Sequence, residues 1–233
     1  MRSSSIDWEA FARREPYFAV LTDERFLRER VDLDDFYATG EADVARLFAL
    51  IGGDFHPRSA LDFGCGVGRL TMALAKRVPD VVGCDASETM LQLARTAVSN
   101  ATFTTELPNR EFDFICSLIV FQHIPVAEGE AIVDRLLALL NAEGVAALHF
   151  TFRRPGGALR RLARRVRARV PLMHRIAARL EGDRRGLPYM QMNEYGRERI
   201  LRRFRDPMLV PTNHGGIEGA IVIGRKRTGF SLS

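Results

Sequence analysis

The stretch Leu61-Asp62-Phe63-Gly64-Cys65-Gly66-Val67-Gly68-Arg69-Leu70 sets glycine at alternate positions directly behind a short apolar run. A strand that ends in closely spaced glycines and opens into a helix aims free backbone N–H groups at an anion. Glycine has no Cβ and tolerates positive φ, so a ligand and the main chain can approach closely. Two anions are open at this point: a dinucleotide pyrophosphate, and the carboxylate of an amino-acid-like cofactor. The dinucleotide fingerprint is G-x-G-x-x-G. Here Gly64, Gly66 and Gly68 spell G-x-G-x-G, and the sixth position is Arg69. Asp62, just before the glycines, sits where a carboxylate receives an ammonium group or orients the loop. Asp85 closes the next apolar run, Val81-Val82-Gly83-Cys84, where a carboxylate can accept both hydroxyls of a ribose.

From Ser59 onward apolar runs and amphipathic stretches alternate. The pattern predicts strands over 60–63, 80–85, 101–105, 112–117 and 145–152, with helices over 69–77, 88–98 and 126–140 between them. Such alternation argues for an α/β fold, a doubly wound and mostly parallel sheet covered on both faces. The tail predicts a helix over 194–204, then strands over 208–213 and 219–225. Their short separation implies an antiparallel carboxy-terminal hairpin that brings the sheet to seven strands. Residues 5–50 read as amphipathic helices. The expected organisation is an amino-terminal helical lid over 1–54, a core over 55–152, an arginine-rich helical cap inserted over 153–190, and a final helix and hairpin over 191–233.

The 233 residues suit one domain with an insertion, and the formal net charge of +5 conceals an asymmetry. Residues 153–185 hold twelve arginines against Glu181 and Asp183, so a mildly acidic body bears one strongly basic segment. No apolar run approaches the ~20 residues of a spanning helix, and the first residues show no h-region or cleavage site. Cys65, Cys84 and Cys116 are unclustered and fall in or beside expected core strands, which favours reduced thiols over a disulfide frame or a zinc site. The expected location is the cytoplasm, with peripheral contact at the inner face of a membrane as a variant of it.

Taken together, Ala60–Ala75 and Val81–Arg95 resemble the class I S-adenosylmethionine-dependent methyltransferases. Their first motif is an apolar strand, an acidic residue and G-x-G-x-G; their second ends a strand in an acidic residue. Phe112–Pro125 resembles their fourth-strand motif, and Leu139–Phe150 their fifth. The resemblance implies S-adenosyl-L-methionine as cofactor, with Asp62, Gly64, Cys65, Gly66 and Gly68 around its methionine part. It implies Asp85 at the ribose, Ala86 and Met90 beside the adenine, and Glu106 or the backbone of Leu107 at the adenine amino group. Ser117, Leu118 and Gln122 would border the sulfonium. Compared with the family pattern, the third-strand region is short.

Transfer from a sulfonium needs a nucleophile placed in line, and a hydroxyl nucleophile benefits from a base. His123, shortly after the fourth strand, is the candidate catalytic base, since ligands collect at strand carboxyl ends. Candidate acceptor-binding residues are Tyr17 and Tyr37 in the lid, Gln191, Asn193, Glu194 and Tyr195 at the start of the last helix, and His214 and Glu218 in the hairpin turn. No metal set is expected. Ser117-Leu118-Ile119-Val120 stands where amino methylation of nucleic-acid bases would call for N-P-P-[YF], and no Pro-Cys nucleophile is present. The reading is methyl transfer, at oxygen, to a small-molecule or sugar-containing acceptor, free or lipid-linked. The alternatives are an RNA methyltransferase that uses the basic cap, and a non-catalytic S-adenosylmethionine-binding module. The cap itself reads as a solvated exterior, a surface for anionic membrane, or an RNA contact.

Overall fold

A computed structural model describes residues 8–153, 190, 192–214 and 216–227. Three helices come first: α1 (Trp8–Arg14), α2 (Pro16–Leu21) and α3 (Leu33–Ile51). The alternating core follows as β1 (Ser59–Phe63), α4 (Arg69–Ala75), β2 (Asp80–Cys84), α5 (Glu88–Ala97), β3 (Thr102–Thr104), β4 (Phe112–Ser117), α6 (Val126–Ala138) and β5 (Leu140–Arg153). Then come α7 (Arg197–Leu201), β6 (Phe204–His214) and β7 (Ile217–Lys226). The expected arginine-rich cap falls almost entirely on residues 154–189, outside the described residues.

The seven strands form one sheet in the order β3-β2-β1-β4-β5-β7-β6. Strands β1 to β5 pair in parallel. β7 runs antiparallel to both β5 and β6, so β6 points the same way as the first five. The carboxyl ends of six strands therefore share one edge. Strand order reverses between β1 and β4, and a crevice opens there in sheets of this kind.

Two-residue alternation explains why both faces are apolar. On β5, Val145 and Ala147 pack with Val210, Ile221 and Ile223 beneath Val44 and Leu47 of α3 and Leu70 and Leu74 of α4. Ala146, Leu148 and Phe150 pack on the opposite face against Ile132, Val133 and Leu136 of α6. Each fully buried side chain of this size contributes about 1.5–3 kcal/mol. A third cluster joins Phe11, Ala19, Phe26 and Phe36 of the amino-terminal segment to Val67 and Met90, which seats that segment over the glycine loop.

Helix starts follow local chemistry. Asp32 caps α3 by accepting from the N–H groups of Asp34 and Asp35, and Ser87 caps α5 by accepting from Met90. The expected helix over 194–204 is shorter in the structure. Asn193 N–H donates to Gln122 O at 2.6 Å and Tyr195 N–H to Thr151 O at 2.8 Å, so this stretch is tied to the sheet end and α7 starts only after Gly196. Among the described residues, no helix is long and apolar enough to cross a membrane.

Candidate functional site

The site grows from the β1–α4 turn. Gly64 has φ 74° and Gly66 φ 53°. A Cβ on Gly64 would stand 2.4 Å from Val120 Cγ2, and one on Gly66 2.8 Å from Val20 Cγ2. A side chain at either place would collide with these valines, which pack directly against the turn. Asp85, just past β2, locks the turn: its Oδ2 accepts from Gly66 N–H at 2.9 Å and its Oδ1 from Ser87 N–H at 2.9 Å. The carboxylate can also accept from a ligand hydroxyl. Burial raises the Asp85 pKa above its ordinary value, against the pull of those backbone donors.

A first cavity lies over the turn. Phe63, Gly64 and Gly66 line it from β1, Asp85 and Ala86 from β2, Met90 from α5, and Leu118, Ile119 and Val120 from the β4 end. Trp8, Ala19 and Val20 add a wall from the amino-terminal helices. The amino-terminal helices are tied down at Glu9, whose Oε2 accepts from Thr89 Oγ1 at 2.6 Å. Asp62 lies beneath the loop, outside the lining, 1% exposed, and its Oδ2 accepts from Thr71 Oγ1 at 2.7 Å. Burial pushes its carboxyl from the usual 3.8 up to about 6, in spite of the Thr71 hydrogen bond and the nearby Arg69 charge. Its close partner is Thr71 of α4, the helix that the turn opens into.

A second cavity of about 720 Å³ continues across the sheet toward β6. It is lined by Ile119, Gln122 and His123 after β4, His149 and Thr151 of β5, Thr212 of β6, and Ile217 and Gly219 of β7. Thr22, Arg25, Thr39, Asp43 and Arg69 close it from the helical side. Arg69, 2% exposed, pairs with Asp43 at 2.7 Å and donates to Thr39 Oγ1 at 3.1 Å. Register explains the strand contribution, because Thr151 and Thr212 both pair with Gly219 and so stand in one row on one face.

His123 and Ile119 line both cavities. His123 is 4% exposed, with the Trp8 ring edge-on at 5.2 Å. Its Nε2 stands 3.2 Å from Gln122 Nε2, and Gln122 Oε1 accepts from Thr151 Oγ1 at 3.3 Å. With the Gln122 oxygen engaged, its amide N–H faces the imidazole, which leaves His123 Nε2 as the acceptor. Ile119 has φ 64°. A β-branched residue there carries strain of order 1–3 kcal/mol.

The other expected residues disperse. Gly68 caps α4. Cys65, buried, and Ser117, buried at the β4 end, lie behind the lining of the first cavity. Gln122 lines the second cavity and not the first. Glu106 is exposed, and Leu107 packs against the α6 side of the core. Neither lines either of these two cavities. Tyr17 packs edge-on to Phe36, and the Tyr37 hydroxyl donates to Val67 O at 3.1 Å, so both belong to the packing of the amino-terminal helices. Tyr195 is 3% exposed and donates to Ile124 O at 2.9 Å, a core position. Asn193 Nδ2 also donates to Gln122 O, at 3.2 Å, and Glu194 is half-buried outside both linings. Glu218 is exposed, pairs with Arg153, and alternates out of phase with Ile217 and Gly219, so it misses the second cavity. Gln191 and the His214 side chain fall outside the described residues.

Sequence reasoning passed over His149 and Thr151. The alternation Leu148-His149-Phe150-Thr151-Phe152 is the signal that marks them, since one face of β5 turns polar as it reaches the carboxyl edge.

Residues 60–144 match the family described as "Methyltransferase domain". Trans-aconitate 2-methyltransferase of Methylobacterium radiotolerans is 37% identical over 99 residues, 40% of this chain and 37% of that protein. An uncharacterized methyltransferase of Mycobacterium tuberculosis is 35% identical over 96 residues, 38% of this chain and 48% of the relative. The chain thus spans less than half the length of these relatives. Among solved structures, magnesium protoporphyrin IX methyltransferase from Synechocystis with bound SAM superposes with a TM-score of 0.58 at 20% identity, covering 97% of this chain and all of that one. Over residues 60–144 the chain is thus similar to the methyltransferase domain family, and its sheet shares the fold of the solved methyltransferase.

Proposed function

We propose that the chain transfers a methyl group from S-adenosylmethionine in the first cavity to an oxygen of a small polar acceptor in the second. The observation that carries this reading is the shared wall: His123 and Ile119 border both cavities, so a donor and an acceptor would meet there. The residues present suit the cofactor. Gly64 and Gly66 line the first cavity without side chains, where its methionine part would lie, and the Asp85 carboxylate on the same cavity would accept from its ribose hydroxyls. Bound there, the cofactor supplies an electrophilic methyl on a positively charged sulfur.

The chain's own residues do the rest. The strand ends place the acceptor, and the lid excludes water from the reacting atoms. Where the acceptor oxygen is a hydroxyl, the Gln122 amide must first release His123 Nε2, whose freed lone pair then takes the hydroxyl proton as the O–CH₃ bond forms and the S–CH₃ bond breaks. Where the acceptor is a carboxylate, the oxygen is already ionised at neutral pH and His123 only shapes the wall. A cavity of about 720 Å³ fits a metabolite-sized or single-sugar acceptor. The abundance of Thr, Gln, His, Asp and Arg around it suits hydroxyl and carboxylate groups. Trans-aconitate, the acceptor named for the Methylobacterium relative, is one such molecule.

The test is formation of S-adenosylhomocysteine from S-adenosylmethionine over a panel of small carboxylates, including trans-aconitate, and of free sugars. Turnover with one class and none with RNA is the expected result; methylation of RNA alone overturns the reading. Asp85→Ala should weaken S-adenosylhomocysteine binding by about 1–3 kcal/mol, since it removes hydrogen bonds to a charged group. His123→Ala should lower turnover of a hydroxyl acceptor while cofactor affinity changes little.

A further inference from the structure

We propose that His149 is a positioning residue for the transfer step: it holds the strained Ile119 backbone, and so sets the wall between the two cavities. Ile119 N–H donates to His149 Nδ1 at 3.3 Å. A backbone N–H can only donate, so Nδ1 presents its lone pair and the ring is the neutral Nε2–H tautomer. That Nε2–H points to Thr212 Oγ1, 2.9 Å away on β6. The ring is thereby fixed at both ends, between the β4 turn and the far strand.

Space for this arrangement comes from Gly219 on β7. A Cβ there would stand 3.3 Å from His149 Nε2 and 2.9 Å from Thr212 Oγ1, inside the hydrogen bond that joins them. His149 is 5% exposed in β5, one strand from β4 in the sheet, so it is a stiff support for the turn beyond. A β-branched residue at φ 64° persists only where its surroundings over-determine it. The hydrogen bond to His149 is such a determinant, and its consequence reaches both cavities because Ile119 lines both. His149 lines only the second cavity, so its effect on the first runs through Ile119.

The inference rests on the proposed function for the roles of both cavities. Amide exchange and the imidazole tautomer are read on the unliganded chain, so failure of this inference is distinguishable from failure of that reading. Three variants separate the two ends of the ring. His149→Asn keeps an acceptor oxygen where Nδ1 was; His149→Gln keeps a polar atom only where Nε2 was; His149→Ala keeps neither. His149→Ala should weaken S-adenosylhomocysteine binding roughly 5- to 10-fold, the loss of about one hydrogen bond. Exchange of the Ile119 amide, followed by NMR, should accelerate in parallel. His149→Asn should restore both readings and His149→Gln neither. Glycine adopts positive φ without strain, so His149→Ala should cost much less in an Ile119→Gly background. In the unaltered protein, imidazole ¹⁵N correlations should show His149 as the Nε2–H tautomer. An Nδ1–H tautomer, rescue by Gln as good as by Asn, or undiminished S-adenosylhomocysteine affinity in His149→Ala would each overturn the proposal.

Discussion

Asp62 is held at a cost. Its carboxylate is enclosed beneath the glycine turn with Thr71 Oγ1 as its close donor, and Cys116 Sγ at 3.9 Å adds little. Burial raises its pKa from 3.8 to about 6, a gap worth about 3 kcal/mol. The folded state therefore prefers the protonated acid. That preference contributes fully below pH 3.8 and is lost as pH rises through about 6. Asp62→Asn keeps an acceptor for Thr71 and cannot ionise. Urea unfolding between pH 4 and pH 7.5 should show the unaltered chain losing stability relative to the variant by up to about 3 kcal/mol. A difference that stays flat with pH would show that Asp62 does not titrate in this window.

At the scale of elements, the amino-terminal segment, which we propose acts as a lid, begins with short helices. Its helices α1 and α2 have six or seven residues each, too short to be stable alone. They are held by the cluster around Phe11 and Phe36 and by the Glu9–Thr89 bond onto the first turn of α5. Burial works against the Glu9 charge, yet the hydrogen bonds from Thr89 and Ser87 win and lower its pKa. The tie is therefore present at neutral pH and is lost as pH falls through that lowered value. Glu9→Ala should speed amide exchange of residues 8–21 by about 10-fold, as expected for losing a hydrogen bond to a charged group. Residues 59–63 and 112–117 of the central strands should exchange as before; acceleration there too would mean that lid and core open as one unit.

For the whole molecule, charge is unevenly placed along the chain: the twelve arginines of 153–185 outweigh their two acidic neighbours, while the rest is mildly acidic. If that segment meets an anionic lipid surface, the chain should bind vesicles containing anionic lipid more tightly than neutral ones. Binding should also weaken as salt rises, because the attraction is screened over about 10 Å at 0.1 M. Vesicle flotation at two salt concentrations checks this, and equal partition to both lipid types would exclude the membrane reading.

The sequence by itself determined the β1–turn–α4 unit, the acid closing β2, the strand–helix alternation and the carboxy-terminal hairpin. These are local: alternating glycines, capping side chains and two- or 3.6-residue periodicity are written in contiguous residues. Only the tertiary structure decided which polar groups share a cavity. Glu218 looked equivalent to its neighbours, yet pairing of Asn213 with Glu218 and of Thr212 with Gly219 turned it away and brought Gly219 to the second cavity. Tyr195 was spent on the core once residues 193 and 195 were tied to Gln122 and Thr151. His149 and Ile119 are 30 residues apart, and they meet because β4 and β5 are neighbours in the sheet. Strand order and register are long-range choices, made by the burial of whole faces, and no short stretch of sequence encodes them.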